Sequence, residues 1–226
     1  MSRSKQKPKA KAVAPPRHDL VVLAADKDTK EAIDGLLTIR TKALGIRPIT
    51  HDIITHPQHD PGCLKQSVGL LSVYRRTHRY ALAVFDREGS GRETASRIEL
   101  ETTVEAELKA AGWGDRAAVI VIDPELENWI WSPSPHVASS LGWNQTNQSM
   151  QEWLVANKWL AEVAQIKPER PKEAMEAVLR LVKKPRSSAL YRAISEKVSL
   201  VKCTDPAFAK LGDTLRTWFP SANPDH

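Results

Sequence analysis

Four short runs of apolar and β-branched residues stand out along the chain, each separated from the next by a longer stretch of mixed character. The runs have the length of buried strands, and the stretches between them repeat apolar residues at helical spacing. The strand-like runs are residues 20–24, 51–55, 80–85 and 117–122, and the helix-like stretches are residues 30–44, 64–77 and 93–111. Strands that alternate with helices predict an α/β fold with a parallel four-stranded sheet flanked by helices.

The strand pattern ends after Trp131, and only helical patterns follow it. Pro171 and Pro206 lie where a proline favours the first turn of a helix. The predicted C-terminal helices are residues 147–160, 172–183, 188–198 and 205–219. The predicted parts of the chain are a disordered basic tail over residues 1–17, an α/β domain over residues 18–132, and a helical C-terminal region over residues 133–226 that packs on it.

The composition is that of a globular chain with one core. With 226 residues, of which 41% are hydrophobic, the chain can bury a sizeable apolar interior. No apolar run is long enough to span a membrane and no signal-peptide pattern is present, so we expect a cytoplasmic protein without membrane contact. The two cysteines, Cys63 and Cys203, form no CxxC pair, which favours reduced thiols over a disulfide framework.

The net charge of +6 is distributed unevenly along the chain. The tail over residues 1–17 carries basic residues and no acid, residues 18–166 have an excess of acids, and residues 167–226 have an excess of bases. A basic tail of this kind can contact phosphate groups, or it can serve as a solubilising end. Composition leaves both interpretations of the tail open.

Acidic residues follow three of the four predicted strands. In a parallel α/β sheet the carboxyl ends of the strands form the edge at which ligands bind, so side chains there are the first candidates for chemistry. Carboxylates gathered at one edge repel one another, and bound hard cations, raised pKa values or nearby Lys and Arg residues relieve that repulsion. The acids in question are Asp26 and Asp28, then Asp86 and Glu88, then Asp123, Glu125 and Glu127.

Several of these acids also have a structural interpretation. Asp123 precedes Pro124, an arrangement that favours a helix N-cap with proline at the first helical position. Glu125 would then lie in the first turn, where its negative charge suits the helix dipole. Asp26 or Asp28 is placed to cap the helix predicted near residue 30.

Asp86 and Glu88 are harder to explain by capping. They are followed by Gly89, Ser90 and Gly91, and glycines let a backbone approach an ion or a phosphate closely. Position at a strand end and the glycine-rich turn together favour a metal site that includes both acids.

The stretch VFDREGSG resembles the Asp-x-Asp motif of TOPRIM domains, the metal-binding α/β modules of topoisomerases, primases and OLD-type nucleases. The order of the motifs DLVVLAADKDTKEAIDGLL, ALAVFDREGSG, VIDPELENWIW, KPRSSALYRAI and CTDPAFAKL is similar to that of a TOPRIM-like family of uncharacterised bacterial proteins found near defence genes. The chain also resembles a small component of methylation-associated anti-phage defence systems. The resemblance covers residues 19–215 and implies a TOPRIM-like sheet with a helical C-terminal region.

The resemblance implies that Asp86, Glu88 and Glu127 coordinate Mg²⁺ or Mn²⁺. It also implies metal-assisted hydrolysis of phosphodiesters, with Asp26 as the proton-handling acid beside Asp86 and Glu88. One position departs from the family, because TOPRIM domains place a catalytic Glu after the first strand where this chain has Ala24. That departure leaves open whether the site cuts or only binds metal.

Basic residues near these acids are candidates for contact with nucleic acid, although solvated basic faces and a Ser187 or Ser188 helix cap explain the same pattern. The predicted nucleic-acid contacts are Lys27, Arg87, Arg92, Lys172, Lys183, Lys184, Arg186, Tyr191 and Arg192. The implied partners are nucleic acid, DNA or RNA, and other proteins of a defence system. The five tryptophans between residues 129 and 159 favour core packing over base stacking.

Three other functions compete with a nuclease. The stretch THDIITHPQHDPGC has His, Asp and Cys residues that suggest zinc, but its spacing is weak, and His56, His59 and Asp60 are better placed to join the acidic edge. A non-catalytic subunit that binds nucleic acid or a partner fits the same motifs. A receiver-like phosphoacceptor with Asp86 as the acceptor lacks the expected fifth strand and its lysine.

Overall fold

The computed structural model describes residues 16–198 and 203–221. Its sheet has four strands, all parallel, as the hydrophobic pattern predicts. The strands are His18–Ala24 (β1), His51–Thr55 (β2), His78–Asp86 (β3) and Ala117–Ile122 (β4). β1 and β3 each begin two residues before the predicted start, at a histidine. Most of the predicted basic tail, residues 1–15, lies outside the described residues.

Ten α-helices surround the sheet within the described residues. They are Lys27–Ile39 (α1), Thr41–Leu44 (α2), His59–Ser72 (α3), Arg97–Leu108 (α4), Glu127–Ile130 (α5), His136–Leu141 (α6), Met150–Ala156 (α7), Pro171–Leu181 (α8), Ser188–Lys197 (α9) and Pro206–Trp218 (α10). The sequence pattern does not show α5 and α6, because four to six residues are too few for a helical period. None of these helices has the length and apolar character that crossing a bilayer requires.

The strand order β2-β1-β3-β4 creates a switch point at the centre of the sheet. The chain leaves β1 toward β2 on one side, and later continues from β3 toward β4 on the other. Ala24 of β1 pairs with Val84 of β3, so these two strands end side by side. In open α/β sheets the crevice at such a switch point is where ligands bind.

Side chains that alternate along the strands fill two apolar layers. On one face Val21 and Leu23 pack with Phe85 and residues of α3 and α4. On the other face Leu20 and Val22 join one cluster with α1, α5 and the C-terminal helices α8, α9 and α10. The helical region therefore shares a core with the sheet. Trp129 and Trp131 are buried in that core, which confirms their predicted packing role.

Some predicted caps are confirmed. Asp26 caps α1, because its Oδ1 accepts a hydrogen bond of 2.8 Å from the Thr29 N–H. Pro171 and Pro206 lie in the first turns of α8 and α10. The free N–H groups of a first helical turn need an acceptor, and a proline there has no N–H to satisfy.

The predicted cap at Asp123 is wrong. α5 begins only at Glu127, and Asp123 instead accepts a hydrogen bond of 2.8 Å from Arg87 Nε. Glu125 therefore precedes the helix rather than lying in its first turn. The predicted serine cap of α9 is also wrong, because Ser187 makes no capping bond and Ser188 donates to Asp28.

Candidate functional site

Six of the acids that follow β1, β3 and β4 line a single cleft of about 420 Å³ at the carboxyl edge of the sheet, whereas Asp123 is not among its lining residues. This acidic cleft lies over the switch point between β1 and β3, where the fold places ligand sites. Among its lining residues, nine carboxylates face two cations. Its charged lining residues are Asp26, Asp28, Asp60, Asp86, Glu88, Glu125, Glu127, Glu173, Glu176, Lys172 and Arg186.

Asp86 lies at the centre of the acidic cleft, on the last residue of β3. Its Oδ1 is buried and has no hydrogen-bond partner among the residues that the structure describes. Burial raises the pKa of the Asp86 carboxyl well above its usual range, and the charges of Asp60 and Glu127 raise it further, whereas a hydrogen bond from the Leu126 N–H opposes them. A buried carboxylate oxygen without a donor is unfavourable unless a proton or a cation satisfies it.

Asp60 is a neighbour of Asp86 that the motif analysis did not assign to the metal. It lies in the first turn of α3, and its Oδ1 accepts a hydrogen bond of 2.8 Å from the Asp86 N–H. Burial raises the pKa of the Asp60 carboxyl, and nearby Asp26 adds to that shift. Asp60 thus reaches the acidic edge as expected for the loop after β2, whereas His56 is buried beneath Gly62 and is not part of the cleft lining.

Glu88 lies at the exposed mouth of the acidic cleft, in the turn after β3. Its N–H donates a 3.0 Å hydrogen bond to the Pro124 carbonyl, which ties this turn to the segment after β4. Gly89 and Gly91 adopt φ values of 81° and 79°, a left-handed conformation that glycine tolerates best. The glycines therefore allow the tight turn that brings Glu88 over the cleft.

Glu127 and Asp28 share one cation of the protein, Arg186. The Nη2 of Arg186 lies 3.0 Å from Asp28 Oδ2 and 3.2 Å from Glu127 Oε1. Tyr191 donates its hydroxyl to the same Glu127 oxygen at 2.5 Å, and Ser188 donates to Asp28 at 2.6 Å. One oxygen of the predicted ligand Glu127 is therefore occupied by two donors from the loop before α9 and from α9 itself.

Glu125 is the acid of the cleft with a pKa close to neutrality. Burial, together with the charge of Glu127, raises the pKa of the Glu125 carboxyl to about 7, although Lys172 opposes the shift. The Lys172 N–H donates to Glu125 Oε1 at 3.0 Å, and its Nζ lies 3.7 Å from Oε2. Glu125 is thus able to exchange a proton near pH 7.

We expect the metal-free protein to lose stability as the pH rises. A carboxyl whose pKa is higher in the folded state stabilises the fold below its unfolded pKa, near 4.5 for Glu125, and that contribution is lost up to about 7. The loss from Glu125 is on the order of 3 kcal/mol. Urea unfolding at pH 5 and pH 7.5 should show this fall in the unfolding free energy, and Glu125→Gln should reduce it.

The matched control for this experiment is Glu107→Gln, which changes an exposed acid on α4 away from the cleft. It should leave the pH dependence as in the unchanged protein. Equal pH dependence in the Glu125→Gln variant and the unchanged protein would contradict the assignment of this effect to Glu125.

A basic rim adjoins the acidic cleft. Arg180, Lys183, Lys184 and Arg186 surround a depression beside it. Arg186 and Glu176 line both the depression and the cleft, so the two surfaces are continuous. A polyanion lying on the basic rim would pass directly over the carboxylates.

The other residues predicted to contact nucleic acid differ in whether their side chains are already paired within the protein. Lys27 and Arg92 are exposed but are not among the lining residues of the cleft, whereas Arg87 is paired with Asp123. Lys184 donates to the Ser140 carbonyl at 2.6 Å. Tyr191 is buried and Arg192 pairs with Glu31, Asp34 and Glu196, so the structure engages both within the protein.

A second group of potential metal ligands lies at the opposite, amino edge of the sheet. His18, Asp52 and His78 bring one ligand atom each within 4.8 Å of one another, and no other group of three His, Cys, Asp or Glu side chains does so within the described residues. This group could hold a metal ion. Within the zinc-like stretch, Asp52 joins it, whereas His51 pairs with Asp34 and Cys63 is buried.

Comparison of the chain with protein-family models, with curated proteins and with solved structures finds no match to any of them.

Proposed function

We propose that the chain is a TOPRIM-like protein that binds Mg²⁺, or Mn²⁺, in the acidic cleft and hydrolyses phosphodiesters of nucleic acid. The motif resemblance adds a role in prokaryotic anti-phage defence, together with other proteins of such a system. The observation that carries the proposal is the carboxylate of Asp86 at the switch point of the sheet, whose buried Oδ1 has no partner within the described part of the chain.

The chemistry of the donor set fits a hard divalent cation. Asp86, Asp60, Asp26 and Glu88 offer only carboxylate oxygens, and Mg²⁺ is typically held by one or two carboxylates with water and substrate phosphate. A bound cation would satisfy Asp86 Oδ1 and offset both the burial and the carboxylate repulsion that raise the pKa of Asp86 and Asp60. Arg186 already pairs with Asp28 and Glu127, so one or two of the first four acids, with Asp86 among them, are the better ligands.

A divalent cation, when bound, activates water and stabilises charge on a reacting phosphate. The residues of the chain would bind and orient the substrate around it. The basic rim is placed to hold the flanking phosphates, and Glu88 reaches over the cleft mouth. Asp26 uses Oδ1 to cap α1, which leaves Oδ2 to accept or hold a proton from water.

A second function, a non-catalytic subunit that binds metal and nucleic acid, is favoured by the first strand. Ala24 and Ala25 are buried at its end, where the resemblance leads us to expect the catalytic Glu. The nearest acid, Asp26, uses one carboxylate oxygen to cap α1. Cleavage assays separate the two functions.

Purified protein should cleave or nick nucleic acid only when Mg²⁺ or Mn²⁺ is present, and EDTA should stop the reaction. The assay should offer supercoiled plasmid, linear duplex DNA, single-stranded DNA and single-stranded RNA, because the structure does not select among them. Glu88→Gln should lower the rate by about 100-fold, as expected for the loss of a metal-binding carboxylate. Glu107→Gln is the control and should cleave normally.

Absence of cleavage on every substrate with either metal would contradict the catalytic proposal. If Mg²⁺ binding still depended on Asp86 in that case, the non-catalytic function would hold. Full phage protection by a variant that carries both Asp86→Ala and Glu88→Ala would contradict any role of the metal site in defence.

A further inference from the structure

The amino edge of the sheet presents a compact set of nitrogen and oxygen donors far from the acidic cleft. His18 is the first residue of β1, His78 is the first residue of β3, and Asp52 lies at the start of β2. Asp52 Oδ2 lies 2.9 Å from His78 Nε2 and 3.4 Å from His18 Nδ1. Three strands thus converge on one carboxylate oxygen.

We propose that His18, Asp52 and His78 bind one divalent transition-metal ion of the zinc class. Two imidazole nitrogens and one carboxylate oxygen are donors that suit Zn²⁺ and its first-row neighbours, whereas Mg²⁺ prefers oxygen alone. Tetrahedral zinc with bonds of about 2.0–2.1 Å places neighbouring donors roughly 3.3 Å apart. The Asp52–His18 pair has that separation, and the Asp52–His78 pair needs to open by only a few tenths of an ångström.

The two rings are held in place for binding. The His18 and His78 rings stack with centroids 4.9 Å apart, and the Tyr74 ring meets His78 edge-on at 5.2 Å. Thr77 Oγ1 lies 3.0 Å from His78 Nδ1 and donates to the Tyr74 carbonyl at 3.1 Å. A hydrogen bond on the second ring nitrogen is the usual way in which a protein orients a histidine ligand.

In one tautomer, His78 also favours a cation between its ring and Asp52. When Thr77 donates to Tyr74, its oxygen accepts the proton of His78 Nδ1, so the neutral ring turns an unprotonated Nε2 toward Asp52 Oδ2 at 2.9 Å. Two lone pairs at that distance repel each other. Either a proton or a metal ion between them removes the repulsion.

The site is accessible to solvent, and its three protein ligands leave one coordination position of a tetrahedral metal ion open. His78 is buried, but about half of the His18 and Asp52 side chains is exposed, so an ion can enter from solvent. A water molecule can complete the coordination from the solvent side. The bound ion would join the amino ends of β1, β2 and β3.

Isothermal titration of tag-free protein with Zn²⁺, in millimolar MgCl₂ to fill the acidic cleft, should show one site for each chain. His18→Ala and Asp52→Asn should each weaken Zn²⁺ binding at least about tenfold. Both change half-exposed side chains, so both variants should fold. The matched control is His51→Ala, because His51 lies on the same strand as Asp52 but pairs with Asp34 at 3.0 Å. It should bind Zn²⁺ as tightly as the unchanged protein.

Co²⁺ gives a second readout, since a tetrahedral nitrogen and oxygen site produces strong visible absorption bands. These bands should form with the unchanged protein and with Asp86→Asn, but not with His18→Ala. Failure to bind either metal, or binding that both His18→Ala and Asp52→Asn leave unchanged, would overturn the proposal. That result would leave His18, Asp52 and His78 as a network bridged by protons.

Discussion

Replacing Asp86 with asparagine should stabilise the metal-free protein and abolish its response to Mg²⁺. One carboxylate oxygen is buried without a hydrogen-bond partner among the described residues, and burial together with the charges of Asp60 and Glu127 raises the pKa of the carboxyl. An amide has nearly the same shape and carries no charge, so it can donate to a neighbouring carboxylate instead of repelling it. We expect the free energy of unfolding to rise by about 1–3 kcal/mol at pH 7.5.

The same substitution should remove the ligand on which the proposed metal site depends. Loss of an outer-shell partner costs 10–100-fold in metal affinity or activity, so loss of a direct ligand should cost at least about 100-fold in metal-dependent cleavage. The stability should be measured by urea unfolding with and without Mg²⁺, because a ligand that binds the folded state raises the unfolding free energy. In the variant the two unfolding curves should coincide.

Asp115→Asn is the control for Asp86→Asn, since Asp115 is an exposed aspartate away from the cleft. It should change neither the response to Mg²⁺ nor the stability by more than about 0.5 kcal/mol. A less stable Asp86→Asn variant that still responds to Mg²⁺ would show that the Asp86 carboxylate is satisfied by the protein itself, and the metal proposal would fail.

Local sequence rules were sufficient for the sheet and its acidic edge. Apolar runs of strand length fix which segments are buried, and a parallel sheet necessarily brings their carboxyl ends together. The convergence of Asp26 and Asp86 could therefore be predicted from the two strands that end beside them. The turn at Gly89 could be predicted for the same kind of reason, because its left-handed backbone has a local sequence cause.

The pairings between distant residues could not be predicted in this way. Arg186 and Asp28 are 158 positions apart in the sequence, and no local pattern around either residue predicts their contact. The link between Asp60 and Asp86 depends on how α3 packs beside β3, which periodicity does not determine. At Asp123 a local pattern was misleading. The Asp-Pro sequence predicts a helix cap, but the side chain forms an ion pair with Arg87 instead.

The sequence patterns did not predict the group formed by His18, Asp52 and His78, and the reason lies in its position. Ligands of parallel α/β sheets usually bind at the carboxyl edge, so the sequence patterns predict a site there and not at the amino edge. His18 and His78 each lie at the first residue of a strand, a position at which the strands also begin earlier than the apolar pattern indicates. A polar residue that opens two neighbouring strands is the signal that could have identified the group.

Replacing Arg186 with methionine should be the most destabilising of the substitutions considered. Arg186 is the cation that Asp28 and the buried Glu127 share, and methionine keeps much of the apolar volume while removing the charge. Removal of one partner from a buried ion pair leaves the other charge uncompensated, at a cost of about 3–5 kcal/mol. We expect about 3 kcal/mol, because a third of the Arg186 side chain is exposed.

Arg180→Met is the matched control, since Arg180 is mostly exposed and lies 3.8 Å from Glu176. Its loss should cost less than about 0.5 kcal/mol. The decisive comparison is the double variant with Arg186→Met and Glu127→Gln. Glutamine still accepts the Tyr191 hydroxyl through its amide oxygen, so the double variant should regain more than half of the lost unfolding free energy. If the double variant is no more stable than Arg186→Met alone, then Arg186 stabilises the protein through packing rather than through its charge.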